Sequence, residues 1–530
     1  MILSSTETLS LWDDQVHPFP QERLTDNLRT DVCIVGAGIA GLTTAYLLLK
    51  EGRSVVVLES HRVGSGQTGR TTAHLTTCLD ERYFNLEKLH GAEGARLAAE
   101  SHQSAIEKME QIVRIEKIQC DWRRLPGYLC LAPEDDPSIL HKEFEALQRV
   151  GLDGITWAGR SPMSSFDTGK CIHFGQQATF HPMKYLAGLC HAIRKMGGRI
   201  YTETPVDKIE SGQPALITAR NHCLVMAEVL VVATNTPVND MIVIHSKQAA
   251  YRTYVVGAEI PKGSVAQALY WDTGDPCHYA RVESGSLDKD HLIVGGEDHK
   301  TGQEKHPEKC FDRLELWARK YFPMIRSIDY RWSGQVMQPM DGLAYIGKNP
   351  MDSNNVFVIT GDAGNGMTHC TLGAMLVKDL IIGRENPWEK LYSPGRISLL
   401  ASREFIKENM NVAAQYMDWV APGETMDAED LKRGEGAIFR KGMSLIATYK
   451  DIDDQLHHCS ATCPHMGGVV HWNSAEKTWD CPCHGSRFSA HGHVISGPAI
   501  SDLKEISSVE EPPAESTIAF VEFWSTTNMT

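Results

Sequence analysis

The segment Gly36-Ala-Gly38-Ile-Ala-Gly41 constrains the chain more than any other feature. It follows the apolar run Asp31-Val-Cys-Ile-Val and opens a helix-forming stretch, Gly41 to Lys50, which Gly52 closes. Ser54-Val-Val-Val-Leu-Glu59 is then a β-branched strand of the kind a parallel sheet buries on both faces. In such a unit the first glycine permits the tight turn and the second lets a pyrophosphate approach the backbone. The third lets helix and strand pack closely, while the helix N-terminus offers partial positive charge to phosphates. Glu59 lies 18 residues past Gly41, where a carboxylate accepts both ribose hydroxyls and repels a 2′-phosphate. These residues predict a dinucleotide-binding α/β domain.

The chain is 530 residues long, room for three or four units of about 150 residues. With 42% hydrophobic and 22% charged residues it is neither collagen-like, low-complexity nor wholly disordered. A formal charge of -15 argues against binding nucleic acid, whose phosphates call for clustered Lys and Arg. The start, Met1-Ile-Leu-Ser-Ser-Thr, lacks the basic head and apolar core of a secretory signal. No apolar run approaches the roughly 20 residues that span a bilayer. The expectation is a cytoplasmic protein without a membrane span. Fourteen cysteines are too few for a secreted disulfide scaffold, and ten are scattered singly, as small buried hydrophobes are. The other four, Cys459, Cys463, Cys481 and Cys483, crowd one C-terminal stretch and suggest a metal or redox site.

Helical texture runs from Asn85 to about Lys117 and from His181 to Met196, the latter followed by the strand-like Arg199-Ile-Tyr. From about Tyr251 to Gly296, β-branched and aromatic residues alternate with turns, which predicts an antiparallel sheet inserted into the α/β framework. After Gly383 the texture becomes polar and helical as far as Ala421-Pro-Gly, and then short-stranded and glycine-rich.

Cys463-Pro-His465 and Cys481-Pro-Cys-His484 are separated by fifteen residues. Two Cys and two His also suit tetrahedral zinc, although in a zinc finger both cysteines precede both histidines. The order found here resembles the Rieske [2Fe-2S] domain, in which two thiolates hold one iron and two imidazoles the other. Ser496-Gly-Pro-Ala499 is similar to the proline loop covering that cluster. The resemblance implies Cys463, His465, Cys481 and His484 as ligands. High-potential members link a first-loop Cys to one in the second loop. Gly468 stands at the first position here, leaving Cys483 without its partner. Ser486 keeps a hydroxyl able to donate toward the cluster, whereas Phe488 replaces a Tyr, so a low or intermediate potential is expected. His457, His458 and Cys459 read as ordinary strand or surface residues.

The N-terminal unit resembles the D-amino-acid oxidase and sarcosine/glycine oxidase superfamily, and later segments keep that family's order. Gly64-Ser-Gly-Gln-Thr-Gly-Arg-Thr71-Thr72-Ala73 is similar to the small-residue loop passing the flavin. Thr204-Pro-Val206 is similar to the segment that sets a valine backbone beside the adenine. Val229-Leu-Val-Val-Ala-Thr normally ends in glycine, where this chain has Asn235. Met340-Asp-Gly-Leu-Ala344-Tyr-Ile-Gly matches a late family segment, with Ala344 in place of Pro. Val356-Phe-Val-Ile-Thr-Gly361-Asp362-Ala-Gly364-Asn-Gly366-Met367-Thr resembles the strand-turn-helix closing over ring and ribitol. A lone NAD domain would not predict that last element, so the resemblance implies FAD, held by Gly36, Gly38, Gly41, Glu59, Thr71, Thr72, Ala73, Val206, Gly361, Asp362, Gly364, Gly366 and Met367. His74 reads as a loop histidine packed near the cofactor rather than as a covalent attachment point.

The expected organisation is an FAD-dependent oxidoreductase over 28–385, a helical linker over 386–422 and a Rieske domain over 423–525. Within the first, FAD-binding segments cover about 28–118, 175–240 and 330–385. Substrate-domain segments cover about 119–174 and 241–329. The resemblance implies oxidation of a C–N bond in a small amine or amino acid by hydride transfer to flavin. Electrons would then leave singly through an exposed, histidine-ligated iron toward an unidentified acceptor. Arg281, Tyr251, Tyr254 and His278 are the candidates for holding substrate, since relatives clamp a carboxylate with Arg and Tyr from such strands. Two other readings are a reductase serving a partner oxygenase and a redox-sensing module without turnover. The first would need a separate NAD(P)H-binding glycine motif, and the sequence shows none.

Overall fold

The computed structural model describes residues 8–13, 19, 22–239, 243–350, 352–398, 400–420, 423 and 428–506. Residues 507–525 of the expected C-terminal domain therefore lie outside the described residues.

Five strands form the parallel centre of the first sheet, in the order Val356–Thr360, Leu224–Val232, Leu28–Val35, Val55–Leu58 and Arg199–Tyr201. Tyr345–Lys348 is an antiparallel edge on one side, and the hairpin Val206–Glu210 with Ala215–Ala219 extends from Leu224–Val232. Val55–Leu58 and Val356–Thr360 are buried at every position, which accounts for their unbroken apolar composition. Helix Ile39–Lys50 packs against Gly366–Ile381 and Pro182–Lys195 over this sheet. Helix Tyr83–Glu116 joins the same layer and is interrupted at Gly91, where φ is 74°.

The second sheet has nine strands. Its path runs Ser327–Pro339, Gln248–Pro261, Lys289–Lys300, Tyr279–Ser284, Leu269–Asp272, Arg123–Cys130, Cys171–Thr179 and His74–Leu75, with Ile155–Ala158 paired to Cys171–Thr179. All pairings are antiparallel except that of Leu269–Asp272 with Arg123–Cys130. One strand of this sheet, His74–Leu75, comes from a segment expected to bind FAD, and Cys171–Thr179 and Ser327–Pro339 cross from the expected substrate segments into the FAD-binding ones. The polar stretch after Gly383 contains helices Glu389–Tyr392 and Ser402–Gln415.

The C-terminal region is two small antiparallel sheets. One is Glu435–Lys441, Ser444–Lys450 and Leu456–Ser460; the other is His471–Asn473, Thr478–Asp480, Arg487–Ser489 and Val494–Ser496. Their shared core holds Val470, Trp479 and Phe488 together with Cys463, Cys481 and Cys483. Among the described residues no helix is long and apolar enough to cross a membrane.

Candidate functional site

The loop from Gly36 to Gly41 is set by backbone contact. Gly36 has φ of 106°, and a Cβ there would lie 2.4 Å from the Ala233 carbonyl oxygen. A Cβ on Gly41 would lie 1.9 Å from the Gly36 carbonyl oxygen, so the helix meets the turn at van der Waals distance only because residue 41 is glycine. Gly38 differs: its absent side chain would touch only the Thr68 hydroxyl, at 3.1 Å, and otherwise open space. Glu59 closes the turn by accepting from the Ala37 amide at 2.8 Å and the His61 amide at 3.0 Å. Asn235, at the position where a glycine is usual, takes φ of 67°, a left-handed conformation that Asn tolerates. Its carbonyl accepts from the Thr360 hydroxyl at 2.6 Å.

These residues border one cavity of about 2150 Å³. It is lined by Gly36, Gly38, Glu59 and Val206 at one end, passes Thr71, Thr72 and His74, and reaches Gly361, Asp362, Gly364, Gly366 and Met367. Of the residues read as holding a dinucleotide, Gly41 and Ala73 stand behind this wall and support it. Arg281 supports it too. Its guanidinium donates to the Ala73 carbonyl at 3.0 Å and pairs with Glu283, and its side chain is fully buried away from the cavity. Tyr254 is also buried, with its hydroxyl 3.0 Å from His299 Nε2. His278 lies between Asp272 and Glu297 and stacks on Trp317 at 4.3 Å. Of the four residues read as substrate contacts, only Tyr251 lines the cavity.

Other side chains occupy the end beyond His74. Trp271 and Tyr279 flank the His74 ring at 5.8 and 5.7 Å. Burial, reinforced by Arg281, lowers the His74 imidazole to about 3, so this ring is neutral. Asp80, Glu81, Asp275, Cys277 and Asp298 also line this end. Burial raises the Asp298 and Asp362 carboxyls to about 7 and that of Asp80 to about 6. Apart from Asp362, the sequence pattern gave no sign of these acids, which come from the loop holding Asp80 and Glu81, the turn holding Asp275 and the strand Lys289–Lys300.

In the C-terminal domain, Cys463 and Cys481 share a hydrogen bond between their thiols, and this together with burial pushes the Cys463 thiol up. The rings of His465 and His484 stand perpendicular at 5.1 Å. His465 Nε2 and His484 Nδ1 are buried without hydrogen-bond partners among the described residues. Burial holds these imidazoles near 3 and 4, in the neutral state that a metal requires. Two buried, mutually bonded thiols, with a pair of neutral imidazoles two and three residues further along the same loops, are a donor set suited to a Rieske cluster, which takes two ligands at each iron. A Cβ on Gly468 would lie 2.6 Å from Cys483 Sγ, so the residue pair that is bridged in high-potential members is adjacent here, with one sulfur missing.

The histidine pair, expected at an exposed iron, is half-buried. Both rings pack on His245, at 4.8 and 5.7 Å, from the segment leading into Gln248–Pro261. Gln335 ties the same seam. Its amide nitrogen donates to Gln67 Oε1 at 2.6 Å, its Nε2 donates to the Gly485 carbonyl at 2.9 Å, and its Oε1 accepts from Ser496 Oγ at 3.3 Å. Beside it lies a buried charge cluster. Glu476 accepts from Arg252 and Arg487, with Arg70 at 3.7 Å, while Arg487 Nε also donates to Asp480 at 2.9 Å. Burial would raise Glu476, but Arg252, Arg487 and Arg70 outweigh it and hold the carboxyl down to about 2.

Comparison with known proteins agrees with this architecture. The family model "FAD dependent oxidoreductase" matches residues 31–380, and that of the "Rieske [2Fe-2S] domain" matches 421–507. The chain is 33% identical over 490 residues to the putative Rieske 2Fe-2S iron-sulfur protein YhfW of Bacillus subtilis, covering 91% of this chain and 94% of that one. It is 28% identical to the gamma-glutamylputrescine oxidoreductase of Escherichia coli, covering 69% and 86%. The structure of glycine oxidase from Geobacillus kaustophilus superposes with a TM-score of 0.58 at 19% identity, covering 70% of this chain and 99% of that one.

Proposed function

The chain belongs to the FAD-dependent oxidoreductase family and carries a C-terminal Rieske domain, and from that premise we propose that it oxidises a C–N bond of a small amine or amino acid and relays the electrons through a [2Fe-2S] cluster. Relatives that act on gamma-glutamylputrescine and on glycine support the substrate class. The observation carrying the relay is a single cavity. It begins at Gly36 and Glu59 and extends to Ser496 and Gly497 of the loop read as covering the cluster.

The residues present fit both groups. Gly38 leaves room that a pyrophosphate would take, Glu59 lines the cavity where a ribose would be held, and Cys463, His465, Cys481 and His484 would hold the cluster. Bound FAD would accept the two electrons of the oxidation, and a Rieske cluster would carry them onward singly. The protein's part is positioning and exclusion of water. Gly366 and Met367 turn the N-terminus of helix Gly366–Ile381 toward the cavity, where its amides offer partial positive charge. Trp271, Tyr279 and Tyr251 supply rigid walls for the reacting carbon.

Anaerobic titration of the purified protein with a panel of amines and amino acids tests this reading. Flavin bleaching followed by growth of the reduced-cluster EPR signal is expected. Bleaching by NADH alone would refute it, and no reduction by any member of the panel would favour the redox-sensing alternative.

A further inference from the structure

The end of the cavity beyond His74 carries an excess of negative charge. Asp80, Glu81, Asp275 and Asp298 line it, with Glu404 at the rim. Two cationic side chains face them. Arg82 has its guanidinium committed to the Leu79 and Asp272 carbonyls, each at 3.1 Å, and Arg403 is exposed at the rim. Lys300 is bound to Glu408 at 2.6 Å, and His74 is neutral. Among the described residues, therefore, no uncommitted guanidinium inside this end could clamp a carboxylate, and Arg281 is turned away behind the wall.

A second observation is independent of the acids. Asp298 Oδ1 is sealed from solvent and has no hydrogen-bond partner among the described residues, although its residue lines the cavity. A buried carboxylate oxygen without a donor is costly unless a ligand supplies one. Aromatic faces complete the site. Trp271, Tyr279 and Tyr251 border the same end, and such rings attract cations by their quadrupoles. Burial raises Asp80, Glu81 and Asp298, and neighbouring acids add to the rise at Glu81 and Asp298. Arg82 opposes it at Asp80 and Glu81, and a Thr253 hydrogen bond and His278 oppose it at Asp298, so the nearby cations only partly offset the group.

We propose that the substrate carries a second, non-reacting cationic nitrogen, seated by Asp298 and Asp80 against Trp271 and Tyr279. The inference rests on reading this cavity as the site of C–N oxidation and deepens it. An amine must be neutral to give up hydride. Carboxylates placed for one ammonium alone would hold it in its unreactive form, whereas a second cation satisfies them and leaves the reacting nitrogen free.

Three probes of equal length separate the possibilities on the FAD- and cluster-loaded protein: an alkane-α,ω-diamine, the corresponding monoamine and the matching ω-amino acid. Binding is read by calorimetry and reduction by flavin bleaching. The diamine is expected to bind at least tenfold more tightly than the monoamine, and the ω-amino acid more weakly than either. Asp298→Asn is expected to remove that tenfold preference, and Asp80→Asn to reduce it, with flavin content and melting temperature reporting intact folding. Equal binding of diamine and monoamine, or preference for the amino acid, would overturn the proposal. If the amino acid nevertheless bleached the flavin, C–N oxidation would stand without it. If the diamine bound selectively but no member of a wider amine panel reduced the flavin, the oxidation reading would fall while the cation site remained.

Discussion

Ser486 sets its hydroxyl between two partners: the Ala499 amide donates to its oxygen at 3.0 Å, and its own proton points to Cys463. The hydroxyl is thus oriented by the proline loop and spent on a sulfur that would ligate iron. A donor to a cluster sulfur favours the reduced state. Ser486→Ala is expected to lower the midpoint potential by roughly 40 mV, the one-electron equivalent of about 1 kcal/mol for a hydrogen bond. Redox titration monitored by EPR would measure it, and an unchanged potential would show that the hydroxyl serves only the loop. Phe488 beside it is fully buried in the core with Trp479 and has no polar atom to offer, as its identity in the sequence already implied.

At the scale of elements, the glycine turn makes a prediction that separates folding from binding. Gly38→Ala places its methyl group in the cavity, so the protein should fold and melt near the parent temperature but purify with much less flavin. Gly41→Ala drives a methyl into the Gly36 carbonyl and should cost stability before it costs binding. Melting temperature and flavin absorbance read on both variants would expose the difference. Elements of this kind were legible in the sequence because their chemistry is contiguous: a turn, a capped helix and a spaced set of Cys and His each lie within some 20 residues. The substrate end was not. Alternation along a strand shows that two faces exist without showing which one meets the cavity, so Arg281 and Tyr254 looked like cavity residues and are packed behind it. Asp80 and Asp298 meet only after the chain has closed two sheets, and nothing around either residue marks it. Asn235 shows the converse, since a departure from the usual glycine still takes a left-handed φ of 67° that Asn tolerates.

Across the whole molecule, three arginines from the oxidoreductase region and the Rieske domain converge on Glu476. A carboxyl held at about 2 when folded, against about 4.3 when unfolded, contributes stability above that unfolded value and loses it as pH falls toward 2. Glu476→Gln is expected to destabilise the protein by about 3–5 kcal/mol at neutral pH, the usual consequence of stranding buried charges. The gap from the parent should shrink as the pH is lowered from about 4 to 2, which denaturant unfolding at several pH values would show. A constant gap would mean that Glu476 acts by shape alone. The packing of His465 and His484 on His245 has a consequence for timing. A redox head that swings between donor and acceptor must push solvent aside, and its rate falls as the medium thickens. Here the histidine pair is already packed on His245 of the oxidoreductase region, so under the proposed relay electron arrival at the cluster should keep its pace in glycerol, and stopped-flow traces at rising viscosity should overlay.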